Sequence, residues 1–249
     1  MKKLIAVLIS LLFVASTFGI ASVFGKSGGP DNFGYTFIDS NDDPQLKSYY
    51  PWIEIKNTGT KITSWSGGCD DGSVSNIPLG FNFKFYDRLI SQVEIVANGY
   101  IHLPPANDFI YAFTWDLYPC CADSGVYYET KVIGGRRVFV LEYYQVPRYH
   151  FGSQCSDYPN TFQLQLHEGS NNIVMVYKTL DSSITSGEIG IYNSSALNTL
   201  YYSHHPSYVT PSDGTVIIFQ YPGSPRYPKL RTLPMDQILK IVKDNKDKE

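Results

Sequence analysis

Charge is scarce in this chain, and so are the patterns that carry most enzyme chemistry. Only 17% of its 249 residues are Asp, Glu, Lys or Arg, for a net charge of −3. Cysteine occurs 4 times and histidine 5 times, and no two cysteines stand at the C-x2–4-C spacing of a zinc site. The His204-His205 pair has no third ligand at a sensible spacing. No G-x-S-x-G elbow sits on a strand-to-helix turn, and there is no alternation of strands with helices to hold a serine nucleophile. No E-x-D-x-x-E-like cluster lines one strand face. Glu129, Glu142 and Glu168 are therefore the only carboxylates that would recommend glycoside hydrolysis, which needs an opposed pair. Basic excess is missing as well. Arg226 to the C-terminus holds 7 Lys/Arg against 4 Asp/Glu; without that tail and Lys2/Lys3 the body keeps 11 basic and 19 acidic residues. An acidic body excludes nucleic acid as a partner, because phosphate neutralisation dominates that affinity.

Charge is wholly absent from Leu4–Phe24, which follows Lys2 and Lys3. That is a secretory leader over residues 1–25, with small residues permitting cleavage after Ala21 or Gly25. The alternative is an uncleaved anchor just long enough to span a bilayer, the one route to a membrane. Both readings place the remainder outside the cytoplasm. There an even number of cysteines reads as disulfides. Adjacent Cys120 and Cys121 are poorly placed to join each other, so each is expected to reach one of Cys69 and Cys155, with the pairing left open.

What the chain has in quantity is aromatic side chains, 20 Tyr and 14 Phe among them, set in short alternating runs. Asn160–Lys178 is the clearest. Phe162, Leu164 and Leu166 alternate with Gln163, Gln165 and His167, so one row points inward and the polar row outward. Glu168–Asn172 is turn-forming, and Ile173–Tyr177 is apolar on both parities, as in a strand buried on both faces. Ile77–Tyr86 places Leu79, Phe81, Phe83 and Phe85 on one face and Asn82, Lys84 and Tyr86 on the other. Asn98-Gly99 between apolar runs marks a hairpin, and Gly134-Gly135 marks another. Further strands are expected at Phe33–Ile38, Tyr49–Ile55 (an edge, given Pro51), Ile62–Trp65, Ala112–Leu117, Glu188–Asn193, Thr199–Tyr202 and Thr215–Tyr221. About a dozen strands and no internal helix indicate an all-β, antiparallel two-sheet sandwich over residues 26–222. Residues 223–249 read as a proline-rich connector and a short charged amphipathic helix at Pro234–Asp244.

Two kinds of site suggest themselves. Asp39, Asn41 and Asp42 form an oxygen-rich loop of the type that holds a structural calcium, although turn formation also explains them. Trp52, Tyr144 and Tyr149, with Glu142, are the candidate binding residues for a carbohydrate, whose apolar faces stack on rings while polar groups read its hydroxyls.

Several stretches occur together in a familiar order: GPDNFGYTFIDS, IPLGFNFKFY, VANGYIHL, FTWDL, RRVFVLEYYQVP and NTFQLQLHEGSNNIVMVY. From Gly29 to about Tyr221 the chain resembles a secreted β-sandwich module of bacterial and archaeal surface proteins, often appended to exported peptidases. That module is similar in its later half to the nidogen-like (NIDO) extracellular domain. The resemblance implies a non-catalytic, extracytoplasmic module. The usual acidic pair after the tryptophan is broken here, since Trp115 is followed by Asp116 and then Leu117. The expected role is surface binding or adhesion, to a polysaccharide or a surface protein; the alternative is a carbohydrate-active enzyme on a similar sandwich.

Overall fold

Alternation along Ser73–Phe85 translates directly into burial: Ile77, Leu79, Phe81, Phe83 and Phe85 face inward and the residues between them face solvent, as a period of two requires. The computed structural model describes residues 25–151, 155, 158–195 and 198–227. The expected leader over residues 1–25, apart from Gly25, and the expected C-terminal helix at Pro234–Asp244 lie outside the described residues. The described chain forms fourteen strands: β1 (Ser27–Gly28), β2 (Thr36–Asp39), β3 (Thr60–Lys61), β4 (Ser73–Phe85), β5 (Arg88–Val96), β6 (Tyr100–His102), β7 (Phe109–Thr114), β8 (Gly125–Ile133), β9 (Arg136–Pro147), β10 (Pro159–His167), β11 (Ile173–Thr179), β12 (Glu188–Asn193), β13 (Asn198–Ser203) and β14 (Val216–Gln220). One short helix, α1, spans Leu46–Tyr49.

The strands make two antiparallel sheets, ordered β1-β2-β14-β11-β10-β9-β8-β3 and β13-β12-β7-β6-β5-β4. Their inner faces share one core, with Phe139, Leu141, Phe162, Leu164 and Met175 from the larger sheet meeting Leu79, Phe83, Ile95, Ile101 and Ile110 from the smaller. Tyrosines tie the layers together. Tyr177 donates from β11 to the Ala112 carbonyl of β7 at 2.6 Å, and Tyr143 donates from β9 to the Val96 carbonyl of β5. Such phenols add apolar area to the core and still satisfy their own hydroxyl. The β-sandwich expected from the sequence is the fold.

The larger sheet is also covered on its other side. Residues 44–59 run across it as a strap, seating Leu46, Tyr50 and Trp52 on Val174, Val176 and Ile218, and Ile53 and Ile55 on Val138 and Val140. Two expectations change here. Tyr49–Ile55 is not an edge strand, because Pro51 lacks an N–H and the strap's polar groups go to side chains instead of a ladder. Gln163 and Gln165 do point away from the core, but both are fully buried beneath the strap. The Gln163 side chain pairs with Ile53 as a peptide group would, donating from Nε2 to the carbonyl (2.7 Å) and accepting the amide at Oε1 (3.2 Å). Gln165 donates to the Pro51 carbonyl and to Gln163 Oε1. With Glu142 Oε2 at one end and Nε2 of the half-buried His167 at the other, four side chains form a continuous ladder. A buried amide left unpaired costs roughly 1–3 kcal/mol, so strap and ladder require each other.

Smaller departures have local causes. Tyr86 adopts a positive φ of 49°, which swings its ring into the core, where its hydroxyl reaches Asp31 at 2.8 Å. Between residues 60 and 65 only Thr60 and Lys61 pair, with β8. The strand read at Ala112–Leu117 begins earlier, at Phe109, where β7 takes up its register with β6 and β12. Leu117 instead makes an isolated bridge with Arg148.

The cysteines pair as Cys69–Cys120 and Cys121–Cys155. Neighbouring residues of one loop thus hold two others, closing segments of 51 and 34 residues. Removing either pair as a Cys→Ser double substitution should cost about 2–4 kcal/mol of unfolding free energy, read from urea denaturation. An unchanged midpoint would mean that the bond constrains nothing.

Burial pushes the Glu142 carboxyl up to about 7, partly offset by its hydrogen bond from Gln163. Burial likewise drives His167 down to about 4. Glu142 therefore contributes stability below its ordinary value, 4.5, and loses it as pH rises through about 7. His167 contributes above its ordinary 6.5 and loses it as pH falls through about 4. Relative to the unsubstituted chain, Glu142→Gln should become progressively more stable with rising pH, and His167→Gln with falling pH. Urea titrations at a series of pH values check both; a pH-independent difference for either variant contradicts its burial.

Candidate functional site

Among the described residues, no strap crosses the outer face of the smaller sheet. Its inward positions are aliphatic (Ile101, Ile110, Ala112, Ile189 and Ile191 are all buried), yet the outward positions between them are aromatic. Register brings these together: Tyr100 lies opposite Tyr111, His102 opposite Phe109, and Tyr192 opposite Phe109 on the other side. His102 and Phe109 stack at 5.1 Å, Phe109 and Tyr111 at 5.7 Å, Tyr111 and Tyr201 at 6.1 Å, and Tyr201 and His204 at 4.2 Å, all with interplanar angles under 30°. Tyr100 sits 5.8 Å from Tyr111, and Tyr192 6.2 Å from Phe109. The result is a seven-ring belt crossing β6, β7, β12 and β13.

The belt crosses β12 because that strand has a glycine at the crossing point. Gly190 lies between Tyr111 and Tyr201 in the register, and a Cβ there would come within 2.5 Å of the Tyr201 ring. With no side chain on β12, two rings from non-adjacent strands meet above its backbone and shield it, the arrangement by which aromatics compensate a sheet glycine.

Each end of the belt is closed by a glutamate–histidine pair. Glu94 Oε2 lies 2.8 Å from His102 Nδ1, and Glu188 Oε1 lies 2.8 Å from His204 Nδ1. Hydrogen bonds from Ser73 and then His102 hold Glu94 below the usual carboxylate range. Burial, assisted by Glu188, pushes Tyr201 up to about 12, and Tyr100 and Tyr111 are raised chiefly by burial too. All three phenols therefore stay protonated near neutral pH and can donate. The belt thus offers apolar ring surface, hydroxyl donors and carboxylate acceptors on one open face.

The residues nominated from sequence are distributed differently. Glu142 is fully buried beneath the strap. Trp52 belongs to the strap, with Lys178 Nζ 5.1 Å from its ring centroid. Tyr144 lies under Lys56, whose Nζ is 3.9 Å from its centroid. Tyr149 is elsewhere, against Tyr118 and the Asp116 carbonyl. These four do not form an open groove. Asp39 is buried; its Oδ1 accepts the Asn41 and Asp42 amides, and its Oδ2 accepts the Tyr202 hydroxyl. Among the described residues no group of three or more His, Cys, Asp or Glu is placed to hold a metal ion. Asp116, beside the departed motif, leans on Asp70, and burial followed by that neighbour raises its pKa.

Sequence reasoning missed the belt because each strand contributes only one or two rings. The available signal was Tyr100-x-His102 and Phe109-x-Tyr111, aromatic on the parity opposite to an already apolar one.

Residues 45–227 match the family described as NIDO related, beginning at the strap rather than at Gly29. No curated protein and no solved structure matches the chain. Two disulfides and this family are consistent with an extracellular module; among the described residues no helix is long and apolar enough to cross a membrane. The match takes in the strap, the belt and all but the first two strands, so the chain belongs to the NIDO related family.

Proposed function

We propose that the chain is an extracellular, non-catalytic binding module that holds a polysaccharide along the aromatic belt. The observation that carries this reading is the unbroken run of part-exposed rings over four strands of an otherwise regular sheet face. Three inter-strand spacings of about 4.8 Å give the belt a length near 14 Å, enough for more than one sugar ring. Apolar sugar faces pack on the rings, while Tyr100, Tyr111, Tyr192 and Tyr201 supply hydroxyls that make no hydrogen bond with any described residue. Exposed contiguous rings of this extent mark an interaction surface rather than a stability feature. Adhesion of the surface that carries the module follows from the same contact.

A hydrolytic reading finds less support. Glu94 and Glu188 are separated by β6 and β7, about 14 Å by strand spacing, beyond the roughly 5–9.5 Å that glycosidic carboxylate pairs span. Each is also engaged by its histidine. Glu142 is fully buried and accepts from Gln163, so it opens onto no cleft.

The test is affinity electrophoresis of the exported chain through a panel of soluble polysaccharides. At least one should retard it. Tyr111→Ala and Tyr201→Ala should each weaken that retention about 5–30-fold, the factor for loss of 1–2 kcal/mol, whereas Tyr149→Ala should not. Retention that survives loss of both belt rings, or retardation by none of the polymers, overturns the reading.

A further inference from the structure

A second recess lies on the opposite sheet, where the strap's helix passes the turn between β10 and β11. It encloses about 270 Å³. Tyr49 and Tyr50 form one wall; His167, Glu168 and Ser170 line the other, with Arg136 of β9 at the mouth. Two features give this recess a chemical preference.

The first is a guanidinium with free N–H donors. Glu168 gives both oxygens to the neighbouring Arg137: Oε2 to its amide (2.9 Å) and Nε (3.0 Å), and Oε1 to Nη2. The Arg136 guanidinium makes no hydrogen bond or close ion pair with a described residue, although Glu168, held below its usual range chiefly by its hydrogen bonds with Arg137, also feels the Arg136 charge. It lies across the turn over Gly169, where a Cβ would come within 2.6 Å of Nη1. Gly169 has a φ of +78°, so both the turn and the approach of the guanidinium need a glycine. An unpaired, planar guanidinium suits bidentate recognition of a carboxylate.

The second is an acceptor whose tautomer is fixed by its neighbour. Gln165 spends both amide hydrogens, on the Pro51 carbonyl and Gln163 Oε1. Its Oε1 can then only accept, so neutral His167 carries its proton on Nε2. His167 Nδ1 is left as a lone-pair acceptor to which no described residue donates. Beside it the Tyr49 ring is 37% exposed and rests on Tyr227 at 4.4 Å, a backed ring with a free edge.

A guanidinium that donates to a carboxylate, a ring nitrogen that accepts from a hydroxyl and an apolar wall in a recess of this size fit one small molecule. We propose that this recess binds a single acidic sugar residue, a uronate, with its carboxylate on Arg136, a ring hydroxyl donating to His167 Nδ1, and its apolar face against Tyr49. The site is separate from the belt, lies on the other sheet and does not depend on the polysaccharide reading.

Isothermal titration of the full chain with D-glucuronate, methyl β-D-glucoside and acetate tests it. Glucuronate should bind at least tenfold more tightly than either of the others. Arg136→Gln, at an exposed position, should erase its advantage over the glucoside, and Tyr49→Ala its advantage over acetate. The Tyr111→Ala/Tyr201→Ala double variant should bind glucuronate unchanged, which separates failure here from failure of the belt. Equal affinity for glucuronate and acetate would mean an anion site only. That result, glucuronate binding indifferent to Arg136→Gln, or no measurable binding of glucuronate, overturns the proposal.

Discussion

A sheet that is buried on both faces must answer for every polar group on both, and this constraint organises the larger sheet. Its inner face is apolar and needs no further explanation. On its outer face β9 and β10 present Glu142, Gln163, Gln165 and His167, which burial would penalise heavily if they lacked partners. The strap supplies backbone partners to the two glutamines, at Ile53 and Pro51, and these in turn bond Glu142 and His167. In return the side-chain amide of Gln163 gives Ile53 both hydrogen bonds that a neighbouring strand would have given. An extended segment containing Pro51 is thereby held on a sheet face without joining the sheet. The interdependence explains why a region rich in turn residues is nevertheless fixed.

The smaller sheet meets the opposite condition. No described residue outside the sheet covers its outer face as the strap covers the other, and the aromatic side chains there protect one another. Mutual stacking removes part of each ring from water and leaves edges and hydroxyls exposed, a compromise between burial and display that suits a binding surface. Gly190 is the clearest sign that this face is organised as a unit. A side chain on β12 would separate Tyr111 from Tyr201 and divide the belt. Displayed rings on one sheet and a covered polar ladder on the other give the two sides of one sandwich different work.

The fold was largely legible because period-two alternation, Asn98-Gly99 and Gly134-Gly135 are local signals that survive in any antiparallel arrangement. Ile173–Tyr177, apolar on both parities, correctly announced a strand with two buried faces. The same logic failed one strand earlier. Gln163 and Gln165 look like solvent-facing residues, and only a covering segment more than a hundred positions away makes them interior. Tyr49–Ile55 failed for the complementary reason: its composition suits a strand, but its hydrogen bonds are made by side chains that pattern reading cannot assign. The candidate site was less legible: Trp52, Tyr144 and Glu142 do share the strap side of the larger sheet, but the strap buries Glu142, and Tyr149 lies elsewhere, against Tyr118.

The chain alone determined that its strands would alternate, that they would form two layers around an aromatic core, and that four sulfurs would be bonded in two pairs. These follow from side-chain periodicity and from composition, which act over a few residues. Tertiary structure alone decided that Cys69 joins Cys120, that the glutamines are interior, and that Tyr100, Phe109, Tyr111, Tyr192 and Tyr201 share one face. The reason is strand order: β12 lies beside β7 although almost eighty residues separate their starts, and no local preference encodes which strands become neighbours.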